Sequence, residues 1–385
     1  MGTVERIAHV ADHIAGTVRK GAKIVVVVSA MGEQTDELIA LAEKLSPNPP
    51  RRELDMLLTA GERISMALTS IALHDRNIPS VSLTGSQSGI LTDETHGNAR
   101  IQKILGNRIR ESLALNNVVI VAGFQGVSPK TKEITTLGRG GSDLSAIALA
   151  ASLQADRCEL YKDVDGVMTA DPRLVANARL LKVLPWDAMS ELAWAGASVL
   201  HARGAHVAGK AKIRLEIRSS FDLEKRGTFI QGGSNMESCV VHAIAHKTNM
   251  ALVRSSAQCK ATGLLAASLA WLWEQGETPL INQQSMTPEA ISLTQVITEK
   301  NLPGYAKMIR LAQGTEHVTP HVACVSIVGS GFWQSPETVQ LVGEMISDAC
   351  VIDVKNNCIT VCAPEASIAR AIPRLHKELI ESKTV

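Results

Sequence analysis

"TTLGRGGSDLSAIALAASL", residues 135–153, sets Gly138, Gly140 and Gly141 directly before an alanine-rich helical pattern. A glycine turn opening into a helix suits an anion. Glycines let a phosphate approach the backbone, and the free N–H groups and helix dipole favour negative charge. No Gly-Lys-Ser/Thr follows, so this is not a Walker loop. A plain tight turn would carry the same glycines, but Arg139 and Asp143 flank them and weigh toward a ligand site. A guanidinium grips a carboxylate or phosphate in a two-pronged way, and a carboxylate orients a donor or Mg²⁺. Ser142 or Asp143 is expected near the helix cap.

Outward from this stretch, strand-like and helix-like segments alternate over residues 1–232. "KIVVVVSA" (23–30) is a β-branched run of the kind buried on both faces of a sheet. Helical patterns follow to Leu45 and from about Glu53 to His74, separated by "SPNPP" (46–50). "PSVSLTG" (79–85), "NNVVIVAGF" (116–124), "RCELYKDV" (157–164) and "KIRLEIRSSF" (212–221) read as further strands. Such alternation predicts a mostly parallel sheet sandwiched by helices, with ligands beyond the carboxyl ends of the strands. The opening "MGTVERIAHVADHIAG" is already helical by Val4, with Thr3 as its N-cap.

"LLTAGERIS" (57–65) places Glu62 after a glycine on an otherwise apolar helix. That acid is either an ordinary solvated residue or a group that holds an ammonium, and the pattern leaves both open. "SLTGSQSGILTDETHGNARI" (82–101) is a long punctuated loop of the functional kind. "LYKDVDGVMTADPR" (160–173) ends a strand in three aspartates and a turn, either capping groups or a nucleotide site with Arg173 on a phosphate.

The character changes after the linker "KRGTFIQGGSNMES" (225–238). Two β-α-β-β-α patterns follow: a degenerate one over 239–315 and a clear one over 320–385, each a small split-βαβ unit. Net charge is +1, from 39 basic and 38 acidic residues, which gives no electrostatic case for nucleic acid or an anionic membrane. The short apolar runs argue against a membrane span. The seven cysteines form no C-x-x-C pair and read as reduced and buried, so a cytoplasmic protein without a cysteine metal site is expected. His96, His201, His206 and His246 show no metal spacing and read as structural.

"VVVSAMG", "LTAGERIS", "LTGSQSGILTD", "GFQG", "TLGRGGSD", "KDVDGVMTADPR" and "IRSSF" occur in the order and approximate spacing of the aspartate kinases, which the chain resembles over nearly its whole length. The resemblance implies an amino-acid kinase fold over 1–232 and two ACT-like regulatory modules behind it. It implies phosphoryl transfer from MgATP to the side-chain carboxylate of L-aspartate, the first step toward lysine, threonine, methionine and diaminopimelate. By the same resemblance, Arg139 takes the substrate α-carboxylate and Glu62 its α-ammonium. Gly140, Gly141 and Ser142 line the substrate and phosphate region, and Asp143 orients the reacting groups. Ser29, Ser142, Lys162, Asp163 and the turn Met168, Thr169, Ala170, Asp171, Pro172 and Arg173 hold ATP. No protein-held metal is implied beyond the Mg²⁺ of the nucleotide. A lysine or threonine effector and a homodimer or larger homo-oligomer are expected.

Three departures stand out. Ser198 replaces a lysine often found there, so no ATP contact is assigned to it, and Ala202 replaces a usual proline. The family's Lys-Phe-Gly-Gly signature and first strand are absent ahead of Met1-Gly2-Thr3. A cation on the transferring phosphoryl group is worth roughly 10³–10⁵ in rate. The polypeptide beginning at Met1 is therefore expected to be inactive or nearly so. The alternatives are a catalytically dead amino-acid sensor that regulates a partner, and a kinase for glutamate or a nucleotide.

Overall fold

The structure, a computed structural model, describes residues 2–197, 199–232, 239–258, 263–287 and 289–382. Met1, Ser198, Cys259 and residues 233–238 of the linker lie outside them. The chain packs as two compact units, Met1–Leu160 with His206–Leu215, and Tyr161–Ala205 with Glu216–Val385.

The first unit opens with α1 (Val4–Arg19), capped as its sequence predicts: the Arg6 amide donates to Thr3 Oγ1 at 3.3 Å. Next come β1 (Val25–Val28), α2 (Gln34–Leu45), α3 (Arg51–His74), β2 (Ser80–Leu83), β3 (Ile90–Thr92), β4 (Ile101–Ile104), α4 (Asn107–Ala114), β5 (Val118–Ala122), β6 (Gln125–Val127), β7 (Ile134–Thr136) and α5 (Gly141–Leu153). Strands β1, β5 and β2 form a parallel sheet with β5 in the centre. All five residues of β5 are buried, which accounts for its unbroken "VVIVA". Strands β4, β3, β6 and β7 form a second sheet, antiparallel except for the β3–β6 pair. The segment read as one long loop (82–101) therefore contributes strand β3 and ends where β4 begins. Its two strand segments are too short to show a period in sequence.

Helix α3 adds to the reading of apolar runs without overturning it. By length and composition it could cross a membrane, with a mean hydropathy of 1.2 over an 18-residue window. Its apolar residues are interrupted every few positions, so no single run reveals this. In the unit it packs against α1, α2, β2, β5 and β7, and it buries Asp55, Thr59, Glu62, Ser65 and Thr69 there.

The remaining elements are β8 (Cys158–Lys162), β9 (Val183–Leu184), α6 (Trp186–Trp194), α7 (Ala202–Ala211), β10 (Leu215–Ser219), β11 (Thr228–Ile230), β12 (Val240–Gln258), α8 (Gly263–Glu274), β13 (Asn282–Met286), β14 (Ala290–Thr298), α9 (Leu302–Leu311), β15 (Thr315–Ser330), α10 (Pro336–Met345), β16 (Val351–Val354), β17 (Cys358–Pro364) and α11 (Glu365–His376). Strands run in the order β8–β10–β11–β9 in one sheet. The tail forms a single antiparallel six-stranded sheet, β13–β14–β12–β15–β17–β16.

Both expected β-α-β-β-α patterns are present, and their first strands, β12 and β15, pair with each other along nearly their whole length. Val240 faces Ser330 at one end and Ser256 faces Thr315 at the other. Register shifts near Lys247–Leu252, with Asn249 at φ 55° and His321 at φ 56°, mark where one half gives way to the other. Leu264, Leu272, Tyr305 and Ile309 of α8 and α9 close one core cluster. Val342, Ile368, Ile372 and Leu375 of α10 and α11 close another. Among the described residues Cys158, Cys324, Cys358 and Cys362 are buried, Cys239 and Cys350 half-buried, and all are free thiols.

Candidate active site

The carboxyl ends of β1 and β5 lie side by side, Val28 beside Ala122, and the Gly123 amide donates to Val28 O at 3.0 Å. The start of α5 presses on this edge. A Cβ on Gly123 would stand 3.0 Å from both Cα and Cβ of Ser142 and 2.9 Å from Val27 Cγ1, so only glycine admits the helix start so close. The Phe124 amide donates to Ser145 Oγ (3.1 Å), and that hydroxyl donates to Gly141 O (2.8 Å), tying the two segments together. Phe124 itself is held at φ 67°.

The N-cap of α5 is Gly140, at φ 66°, and not Ser142 or Asp143 as expected from residue type. The reason is conformational. Gly138 (φ 77°) and Gly140 both adopt the left-handed region, which turns the chain into the helix one step earlier. Ser142 and Asp143 therefore sit in the first turn, half-buried. Gly140 has no side chain to cap that turn, and the Gly141 amide donates to Gly138 O at 3.0 Å. Arg139 is exposed at the tip of the glycine turn and forms no ion pair among the described residues. Asp143 lies close enough to Cys158 for its charge to act on that thiol, which burial first and Asp143 second push up to about 12.

Glu62 is 3% exposed. Its Oε1 accepts the Ala30 amide at 3.1 Å, next to Ser29, while Oε2 is buried with no partner among the described residues. A Cβ on Gly61 would lie 2.7 Å from Ala30 Cβ, so the glycine before Glu62 is what lets α3 press against the loop after β1. Burial pushes the Glu62 carboxyl up to about 7, against smaller lowering by backbone hydrogen bonds. Of the two readings left open by its sequence context, the solvated one is excluded.

The first unit thus brings Ser29, Glu62, Gly141 and Ser142 onto segments that meet at one sheet end. The remaining predicted positions belong to the second unit. Lys162 is half-buried and Asp163 exposed. Arg173 grips Asp171 with Nη2–Oδ2 at 2.7 Å, and this pairing holds the Asp171 carboxyl below its ordinary value. Met168 bridges Leu180. Thr169 and Ala170 turn inward. Thr169 Oγ1 accepts the Arg179 amide at 2.9 Å and donates to His376 Nε2 at 2.9 Å, and His376 Nδ1 donates to Glu381 Oε1 at 2.9 Å. Ala170 packs in the core with Ile244, Ala323 and Leu375. A cleft of about 630 Å³ in this unit is lined by Arg179, Lys182, His242 and Ile380, and of the expected nucleotide residues only Thr169 reaches it.

Two positioning groups, Ser145 and Asp55, carry no motif in the sequence, although the spacing of seven between Asp55 and Glu62 places both acids on one face of α3.

Residues 1–219 match the amino acid kinase family, the class that this sheet edge and its glycine-opened helix define. An aspartokinase of Geobacillus stearothermophilus is 41% identical over 384 residues, spanning 98% of this chain and 94% of the relative. The fold of the E. coli aspartokinase III complex with aspartate and ADP (R-state) superposes with a TM-score of 0.78 at 21% identity, covering 98% of this chain and 96% of that one. Its complex with lysine and aspartate (T-state) gives a TM-score of 0.67 at 22% identity and covers 92% of each chain. The chain belongs to the aspartokinases of the amino acid kinase family.

Proposed function

We propose that this protein transfers the terminal phosphoryl group of ATP to the side-chain carboxylate of L-aspartate, giving 4-phospho-L-aspartate, the first step toward lysine, threonine, methionine and diaminopimelate. The observation that carries the substrate half of this reading is Glu62, a buried carboxylate with one oxygen anchored on Ala30 N and the other unpartnered. An unpaired acid in that setting is matched by a cation, and the α-ammonium of an amino acid supplies one. Arg139 supplies the complementary two-pronged grip on the α-carboxylate.

The nucleophile is a carboxylate, ionised at neutral pH, so no general base is needed. The barrier is the approach of two anions. Positioning by Glu62 and Arg139, with the positive end of α5 at Gly141 and Ser142, addresses it. Asp143 orients the reacting groups. Ser29, Ser142, Lys162, Asp163 and the exposed part of the turn 168–173 hold the nucleotide in this reading. The side chains of Thr169 and Ala170 are committed inward, and the Thr169 amide donates to Arg179 O at 2.9 Å, so the nucleotide meets the rest of this turn. In this reading Mg²⁺ comes with the nucleotide, held on its phosphates. Its contribution is charge neutralisation on those phosphates.

Residues 1–232 form the catalytic domain in this reading, and 239–315 and 320–385 two ACT-like modules that bind lysine or threonine within a cytoplasmic homodimer or larger assembly. The repeated strand-helix order around β12 and β15 supports it. The test is ADP release with L-aspartate, L-glutamate and UMP offered in turn, beside calorimetric binding of each. Turnover confined to L-aspartate is expected of a version that carries the family's Lys-Phe-Gly-Gly segment, and binding confined to L-aspartate of either version. Preference for another acceptor, or binding unaffected by Glu62→Gln, overturns the assignment.

A further inference from the structure

Asp55 is buried, 1% exposed, two turns before Glu62 on α3. It has four hydrogen bonds. Oδ1 accepts Thr136 Oγ1 at 2.5 Å and the Gly97 amide at 3.1 Å. Oδ2 accepts His96 Nδ1 at 2.7 Å and the same amide at 3.2 Å. One carboxylate therefore joins three separate pieces of chain: the helix that carries Glu62, the loop at 96–97, and the end of β7 immediately before the glycine turn.

The loop transmits this to Arg139. The Ala99 amide donates to Thr136 O at 2.8 Å, and a Cβ on Gly138 would stand 3.1 Å from Gly97 O and 3.2 Å from Asn98 Oδ1. The backbone at 97–98 is thus the floor on which Gly138 turns at φ 77°. Arg139 is the next residue. Among the described residues its long, exposed side chain has no partner to set its direction, so the direction is set by the turn beneath it.

We infer that Asp55 is a positioning residue for the acid-binding site: it fixes the 96–98 loop against Thr136 and so aims Arg139 relative to Glu62's helix. This rests on the reading of Arg139 as the ligand of the substrate α-carboxylate. Asparagine at this position keeps the shape but turns one acceptor oxygen into a donor, which faces either Thr136 Oγ1 or His96 Nδ1.

The test pairs a measurement without substrate and one with it. In Asp55→Asn, amide hydrogen exchange should rise at 96–98 and 137–141 while the β5 amides stay protected. The KM for L-aspartate should rise, with an overall loss of about 10²-fold in kcat/KM, the scale of a 1 Å misplacement, and the KM for ATP should stay near wild type. Thr136→Val should show the same split in a milder form, and Thr136→Ser, which keeps the hydroxyl, should restore wild-type values. General destabilisation would not separate the two substrates. Unchanged exchange at 137–141 overturns the inference, as does an equal rise in both KM values. Exchange that rises in Asp55→Asn supports the tie to the turn even if L-aspartate proves not to be the substrate, so the two readings fail separately.

Discussion

Glu62 has one oxygen on the Ala30 amide and the other buried without a partner, and that arrangement makes its ionised form costly. With its carboxyl raised from 4.5 to about 7, the folded protein holds a proton there that the unfolded chain has already lost across this interval. Stability therefore falls as pH rises between those values, by on the order of 3 kcal/mol at most. Glu62→Gln should abolish that slope, which denaturant midpoints near pH 5 and pH 8 will show, while weakening L-aspartate binding. Because a bound ammonium favours the carboxylate, binding near pH 6 should release a proton, measurable by calorimetry in buffers of different ionisation enthalpy. Arg139 presents the opposite case, an exposed cation whose value lies in geometry. Arg139→Lys keeps the charge but loses the planar fork, and kcat/KM for L-aspartate should drop by about 10²-fold with little change in melting temperature.

At the scale of elements, the site depends on how tightly α5 can meet the strand ends. Gly123→Ala places a methyl against Ser142 Cα and Val27 Cγ1, and a backbone atom cannot move aside as a side chain can. The helix start should shift, at a cost of about 1–3 kcal/mol in stability and a larger fractional loss in kcat. Denaturation and single-turnover rates on the same preparation separate the two. Helix and strand positions were legible because their periods are strong: α2, α3, β5 and both halves of the tail fall where apolar spacing put them. The cap of α5 was not, because residue preference at a cap yields to the left-handed backbone at Gly138 and Gly140. Nor were β3 and β4, whose three and four residues are too few to carry a period.

For the molecule as a whole, the C-terminal end of the second unit is as much a part of its core as the long strands. The last described turn, Lys377–Glu381, buries Leu379 and Ile380 and sets Glu381 against His376, whose ring also holds Thr169. Ending the chain at His376 removes two buried aliphatic side chains, worth roughly 3–6 kcal/mol together, and orphans the His376 Nδ1 proton. The truncated protein should unfold at clearly lower urea concentration, with the loss seen first by probes in the second unit. Sequence periodicity found two similar halves in this tail. That their first strands would pair in one continuous sheet was decided by partner choice between strands, which depends on contacts 59 to 90 residues apart along the chain.

What the sequence determined unaided was the alternation of the longer helices and strands, the glycine turn with Arg139, and the family itself, because these are carried by neighbouring residues whose spacing is the signal. What only the tertiary structure decided was the state of individual polar groups. Glu62 became a buried, half-satisfied acid, Asp55 a four-bonded tie between three segments, and Thr169 a buried hydroxyl bonded to His376. The physical reason is that charge and hydrogen-bond state depend on desolvation and on partners brought in from distant parts of the chain, and no local pattern encodes either.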